Sequence, residues 1–186
     1  MGEIHIPPDS QKRLIHLSRQ TLEGFVLGMK RPHVEINDPY LQTTEYGAFV
    51  SLHKGGELRG CVGTCSPTQR LFETVIEMTE AAASRDHRVP PIIEGELSDI
   101  HIDISVLSPL ELAFDPLALE VGKQGLHVSR GEKHGVLLPQ VAGQYGWNIE
   151  TFLFQTCVKA GLAKDAWKWP GTKISSFTAL IIEEEK

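Results

Sequence analysis

Arg59 and Cys61 stand two residues apart in Leu58-Arg59-Gly60-Cys61-Val62-Gly63, a run that otherwise reads as a buried strand. Side chains alternate along a strand, so both would share one face, with Leu58 and Val62 on the other. A thiolate is a strong nucleophile, and a neighbouring cation favours it. Charges are rarely buried unless paired, and glycine within a strand often marks a bulge or a close approach by a ligand or another backbone. Cys61 is therefore the first candidate catalytic residue, as nucleophile or redox thiol, with Arg59 as its electrostatic partner. The plainer alternative is a cysteine that packs as a small hydrophobe.

A second candidate lies in Arg85-Asp86-His87-Arg88-Val89-Pro90-Pro91. The prolines stiffen this loop, and Arg88 is shaped to grip a carboxylate or phosphate. Asp86 and Arg88 would then bind a polar substrate group, or else pair with each other to fix the loop. Cys157 and Lys159 form a third candidate binding pair, although helical spacing turns Lys159 well away from Cys157. Lys159 also suits the C-terminal end of a helix dipole, as Glu150 suits the N-terminal end. His134, beside a turn, could bind or exchange a proton near neutral pH, or could simply be a solvated turn residue. His101 and Asp103 share a strand face and could join an acid–base or metal cluster. The eight histidines and three cysteines fall into no recognised ligand spacing, and Cys61-x-x-x-Cys65 lacks the rest of an iron–sulfur or zinc motif. No metal and no cofactor are expected. Phosphate-binding glycine fingerprints and a Gly-x-Ser-x-Gly elbow are missing from the sequence.

These residues need elements to hold them. Pro7-Pro8 followed by Asp9-Ser10 predicts a capped helix over about 10–27, with Leu14, Leu17, Leu22 and Val26 on its apolar face and Gly28 at its end. Residues 31–46 suggest an extended arm. Ala48–Leu52 and Leu58–Val62 flank Lys54-Gly55-Gly56-Glu57 as a hairpin. Ser66-Pro67 would open a second helix. In Ile100–Leu107 the isoleucines alternate with His101, Asp103 and Ser105, as in a half-buried strand. The order then recurs. Gly125–Ser129 and Gly135–Leu138 flank a turn at Gly131-Glu132-Lys133, a helix follows Asn148, and Ile174–Ile182 reads as one strand. Hairpin, helix and strand thus occur twice, in lobes of about 47–110 and 122–183. This suggests an internal duplication within one α+β domain spanning 1–186, with a cleft at the seam.

The chain has 186 residues, 41% hydrophobic and 23% charged, enough for one substantial core or two small fused lobes. A formal net charge of −6 argues against a general grip on nucleic acid. Arg59, Arg85, Arg88, Lys159, Lys164 and Lys168 leave a local basic stripe open. No apolar run approaches the ~20 residues of a membrane span, the first residues lack signal-peptide features, and an odd, low cysteine count suits the cytoplasm.

The motifs Leu58-Arg59-Gly60-Cys61-Val62-Gly63-Thr64, Asp86-His87-Arg88-Val89-Pro90-Pro91, Ile104-Ser105-Val106-Leu107-Ser108, Leu138-Pro139-Gln140-Val141-Ala142 with Trp147, and Lys159-Ala160-Gly161-Leu162 with Trp167 occur in this order along nearly the whole chain. The sequence resembles the AmmeMemoRadiSam system protein A family, which carries the AMMECR-type domain. Val89 replaces a typical aromatic residue, and Cys65 stands where an apolar one is usual. The resemblance implies an α+β domain of duplicated halves, and association with a Memo-type protein and a radical-SAM protein. It brings no reaction and no substrate with it. Three readings follow: an enzyme or enzyme component acting on a small molecule, a non-catalytic interaction module for such partners, and, through the basic stripe, a nucleic-acid-binding or regulatory protein.

Overall fold

The computed structural model describes residues 4–31 and 34–185. The first three residues used in the signal-peptide reading and residues 32 and 33 of the expected arm lie outside them. Along the chain run α1 (Pro8–Val26), β1 (Gly47–Lys54), β2 (Glu57–Thr64), α2 (Leu71–Ser84), β3 (Ile100–Leu107), β4 (Glu111–Leu112), β5 (Gly125–Arg130), β6 (Lys133–Leu137), α3 (Pro139–Gln144), α4 (Ile149–Lys159), β7 (Lys173–Phe177) and β8 (Ala179–Glu183). The fold is α+β. It separates into two units, Ile4–Leu107 with Leu180–Lys186, and Ser108–Ala179.

In the first unit the sheet order is β2-β1-β3-β8. β1 pairs antiparallel with both β2 and β3. Val50 and Leu52 on β1 and Ile102, Ile104 and Val106 on β3 are buried together with Leu14 and Leu22 of α1 and Phe72 and Val75 of α2. Each large side chain sealed in this way contributes about 1.5–3 kcal/mol. The alternation expected for residues 100–107 is present, so His101 and Asp103 lie on the face turned away from the helices.

α1 starts at Pro8, with Pro7 rather than Asp9 or Ser10 at the cap. Proline suits the first helical position because its missing N–H has no partner there anyway. Ser10 instead donates from Oγ to Asp38 Oδ2 at 2.9 Å. α2 starts at Leu71, later than Ser66-Pro67 suggested. The cause lies in the preceding arm: Leu71 N–H donates to the Thr43 carbonyl at 2.8 Å and Phe72 N–H to the Leu41 carbonyl at 3.1 Å. A helix must find partners for its first N–H groups, and here a distant segment supplies them.

Gly55 and Gly56 close the first hairpin with φ of +60° and +85°, the left-handed pair that a two-residue turn between twisted strands favours. Leu52 pairs with Gly60, but His53 pairs with Leu58. Arg59 is thus the extra residue of a β-bulge, and Leu58 joins the face of Cys61 rather than that of Val62. A bulge inverts the alternation beyond it, and strict period two could not anticipate this. Gly60 has its own reason for being glycine: a Cβ there would lie 2.2 Å from the Ala82 carbonyl oxygen of α2.

The second unit has the order β4-β7-β5-β6. β5 pairs antiparallel with β6 and β7, as β1 does with β2 and β3. Gly135 of β6 faces α4 closely, and a Cβ there would lie 2.6 Å from Ala160 N. Asn148 caps α4, accepting from Thr151 N–H at 2.9 Å, as the sequence suggested. The single strand expected over 174–182 is two strands. Thr178 interrupts it: its carbonyl accepts from Ser108 N–H and its N–H donates to Ser108 Oγ, both at 3.0 Å. β7 stays in the second sheet while β8 completes the first.

Candidate functional site

On the face of the first sheet turned away from α1 and α2, Cys61 pairs with Ser51, and Ser51 Oγ donates to Cys61 Sγ at 3.3 Å. Cys61 is partly exposed. Its backbone N–H donates to Asp86 Oδ2 at 2.9 Å. Asp86, in the loop after α2, is buried. Arg88 grips the same carboxylate from two nitrogens, Nε to Oδ1 at 2.9 Å and Nη2 to Oδ2 at 2.7 Å. Arg88 N–H donates to Oδ1 at 3.1 Å, and Nη2 reaches the Cys61 carbonyl at 3.4 Å. One carboxylate therefore ties the Cys61 backbone to the Arg88 guanidinium.

The electrostatics follow from these bonds. The Arg88 guanidinium, together with the Cys61 and Arg88 peptide N–H groups, holds the Asp86 carboxyl far below the usual range, against the opposing effect of burial. Arg88 is raised in turn, by Asp86 first and with Cys61 adding to it. The Arg88 side chain remains 59% exposed, and its Nη1 makes no protein hydrogen bond among the described residues. A guanidinium with an unspent edge, next to a partly exposed thiol, can hold an anionic group beside that sulfur.

Arg59 is placed differently from the partnership with Cys61 that the spacing suggested. Bulged out of β2, it donates to Glu96 from Nε at 3.0 Å and from Nη2 at 2.9 Å, to the Pro90 carbonyl at 2.5 Å and to the Pro91 carbonyl at 3.0 Å. Lys54 Nζ joins Glu96 at 3.2 Å. Arg59 thus binds the far end of the proline loop and fixes where Asp86 and Arg88 sit. The sequence did not single out Glu96. Its only signal was a buried-type strand arginine in need of an anion. Arg59 first, then the Ile93 N–H and Lys54, lower the Glu96 carboxyl to about 2 despite burial.

A carboxyl depressed by folding adds stability that is fully present above its unfolded pKa and lost as pH falls toward the folded one. For Glu96 that window runs from about 4.3 down to about 2. Glu96→Gln is expected to cost about 2 kcal/mol at neutral pH and to flatten the acid limb of the stability curve. Urea midpoints at neutral pH and across pH 5–2 check both.

Next to Ser51 on the same face, His53 Nε2 lies 3.0 Å from Asp103 Oδ2, and His101 Nε2 lies 3.2 Å from Asp103 Oδ1. Burial raises the Asp103 carboxyl, and the two imidazoles work against that rise. The sequence paired His101 with Asp103, whereas His53 arrives through the register of β1 with β3. No group of three or more His, Cys, Asp or Glu side chains able to hold a metal occurs among the described residues.

The remaining candidates belong to the second unit. Cys157 is fully buried in its core, and burial pushes its thiol up. It packs as a hydrophobe and offers no surface to a ligand. Lys159 is exposed at the end of α4. His134 is exposed on β6, its ring stacked 6.3 Å from that of His127. No helix among the described residues is long and apolar enough to cross a membrane.

Comparisons with known proteins agree along almost the whole length. A protein of Methanothermobacter thermautotrophicus is 39% identical over 183 residues, covering 95% of each chain. A Thermococcus onnurineus protein is 40% identical, covering 92% of this chain and 89% of its own. The crystal structure of an uncharacterised protein from Pyrococcus horikoshii superposes with a TM-score of 0.90 at 35% identity, covering 97% of this chain and 94% of that one. The AMMECR1 family model matches residues 15–182, the span holding every motif quoted above, and the chain belongs to the AMMECR1 family.

Proposed function

We propose that the chain is an enzyme, or a component of one, in which the Cys61 thiol attacks or exchanges with a small anionic substrate docked on Arg88. The observation that carries this reading is the shared Asp86 carboxylate. It fixes the Cys61 backbone and leaves the outer edge of Arg88 unspent, with Nη2 against the Cys61 carbonyl. Oriented binding of this kind converts a bimolecular encounter into a local one. Arg59 and Glu96 serve as loop supports, Asp86 as the orienting anion and Arg88 as the binding residue. With Arg59 spent on Glu96 and the proline carbonyls, a single free guanidinium edge on Arg88 suits one small anion rather than a nucleic-acid backbone. An odd, low cysteine count suits a cytoplasmic setting.

The test is protection. Inorganic phosphate or a small dicarboxylate is expected to slow alkylation of Cys61 in the native protein, and to lose that effect in Arg88→Gln. Protection that survives the substitution, or that never appears, removes the substrate role of Arg88.

A second reading, docking to a radical-SAM or Memo-type partner, draws on the second unit. There β4 is an edge strand and Phe114 just beyond it is 93% exposed, with Leu112 and Leu117 also exposed. A ring so exposed on a sheet edge suits a partner surface. Phe114→Ser is expected to abolish co-purification with such a partner and to leave Cys61 alkylation unchanged. Co-purification that persists in the variant rejects this face.

A further inference from the structure

We propose that His53, oriented by Asp103, is the base that takes the Cys61 proton, which makes Cys61, His53 and Asp103 a catalytic relay across three adjacent strands. The inference rests on the thiol reading above and adds the proton acceptor which that reading lacks.

The strand order places β1 between β2 and β3. Cys61 pairs with Ser51, and Ser51 pairs with Asp103. One row of this face therefore runs Cys61, Ser51, Asp103. The next row on the same face runs Leu58, His53, His101. His53 is thus flanked by Asp103 on one side and is a diagonal neighbour of Cys61 on the other. In a regular ladder diagonal cross-strand neighbours lie roughly 7–8 Å apart. Here the bulge at Arg59 falls between the two rows, and Cys61 Sγ takes its hydrogen bond from Ser51. The Nδ1 edge of His53 has to swing toward the sulfur to take its proton. Because Nε2 of His53 meets Asp103 Oδ2 at 3.0 Å, Nδ1 is the nitrogen left to act. A carboxylate accepting from Nε2–H keeps that hydrogen on Nε2, leaves the Nδ1 lone pair free to take a proton, and stabilises the imidazolium that forms.

A nucleophile, a base and a third group orienting that base form the general pattern of an activated thiol. Asp103 Oδ1 is buried without a hydrogen bond and stands 3.2 Å from His101 Nε2. His101 thus faces this buried oxygen without bonding it, and acts on Asp103 through charge as a positioning residue. The charged and titratable groups around His53 are Cys61 from β2, Asp103 and His101 from β3, and Lys54 beside it on β1, already tied to Glu96. Glu183 and Glu184, at and beyond the end of β8, act on Asp103.

The step balances in a simple probe reaction. With iodoacetamide the Cys61 S–H bond breaks and its proton passes to His53 Nδ1. The sulfur forms a bond to the methylene carbon as the carbon–iodine bond breaks, and iodide leaves with the electron pair. Ser51 Oγ, already donating to the sulfur, stabilises the thiolate before attack.

The experiment is chemical rescue on the full chain, with modification of Cys61 read by mass spectrometry at fixed pH. His53→Ala is expected to slow alkylation by at least about tenfold, and added imidazole to restore much of the rate. Asp103→Asn is expected to slow it without rescue, since its base is present but misdirected. Circular dichroism and the labelling rate of Cys65 report whether each variant stays folded. His53→Gln serves if the alanine variant does not. A rapid Cys61 rate in the parent that neither His53 variant changes, or a loss that imidazole leaves untouched, overturns the relay while the thiol reading stands. A Cys61 that fails to react in the parent protein overturns both.

Discussion

Asp86→Ala is expected to destabilise the protein by about 3 kcal/mol, a fall of roughly 6–12 °C in Tm at this size. The carboxylate is buried and accepts from the Cys61 N–H, the Arg88 N–H and two nitrogens of the Arg88 guanidinium. Its removal leaves a strand N–H and a loop N–H without acceptors, and each bond to a charged group is worth about 1.5–3 kcal/mol. Arg88 itself is exposed enough to hydrate, which limits the loss. Asp86→Asn keeps an acceptor but no charge, so it should fall between. The functional consequence is larger than the energetic one. Arg88 loses its anchor, and anion protection of Cys61 should disappear in both variants. Urea unfolding with an unchanged m-value measures the first effect, and a loss below about 1 kcal/mol for the alanine variant would show that water replaces the carboxylate at little cost.

Gly60→Ala has the second large effect. Its Cβ would stand 2.2 Å from the Ala82 carbonyl oxygen, and a backbone atom in the last turn of a packed helix cannot turn aside as a side chain can. Either β2 or α2 must move, at a cost of about 3 kcal/mol. The shift would also carry Cys61, the next residue, away from Ser51 and Asp86, so the thiol chemistry should suffer together with stability. Gly135→Ala meets Ala160 N at 2.6 Å in the second unit and should cost as much while sparing Cys61. Gly95→Ala, with nothing within 4 Å of the added carbon, should change stability by no more than about 0.5 kcal/mol. Equal stability of the three variants would mean that neither helix is seated as closely as these distances require.

Much of this fold was legible because it rests on local physics. Alternating isoleucines marked β3, paired glycines marked the first hairpin, and Asn148 marked the start of α4. The repeated hairpin–helix–strand order was also visible, and the two units share the connectivity of a central first strand. What escaped depends on distant segments. The start of α2 is set by carbonyls of Leu41 and Thr43. The break between β7 and β8 is set by Thr178 meeting Ser108. The bulge at Arg59 reverses a face that strict alternation had assigned.

The candidate site divides along the same line. Cys61, Asp86 and Arg88 stand out in the sequence by their chemistry, and the loop after α2 brings them together. Two-residue spacing assigns Arg59 to Cys61, but the bulge sends it to Glu96, far along the sequence. His53 could not be found from spacing, because only the pairing of β1 with β3 sets it against Asp103. The sequence offers Cys157 with Lys159 as a binding pair, whereas Cys157 lies fully buried in the core of the second unit.

The most direct measurement is residue-resolved alkylation of the native protein. Cys61 is expected to react about tenfold faster than Cys65, and Cys157 to stay unmodified until the chain unfolds. A Cys61 that reacts no faster than Cys65, or only after unfolding, would contradict the claim that this sheet face presents a working thiol.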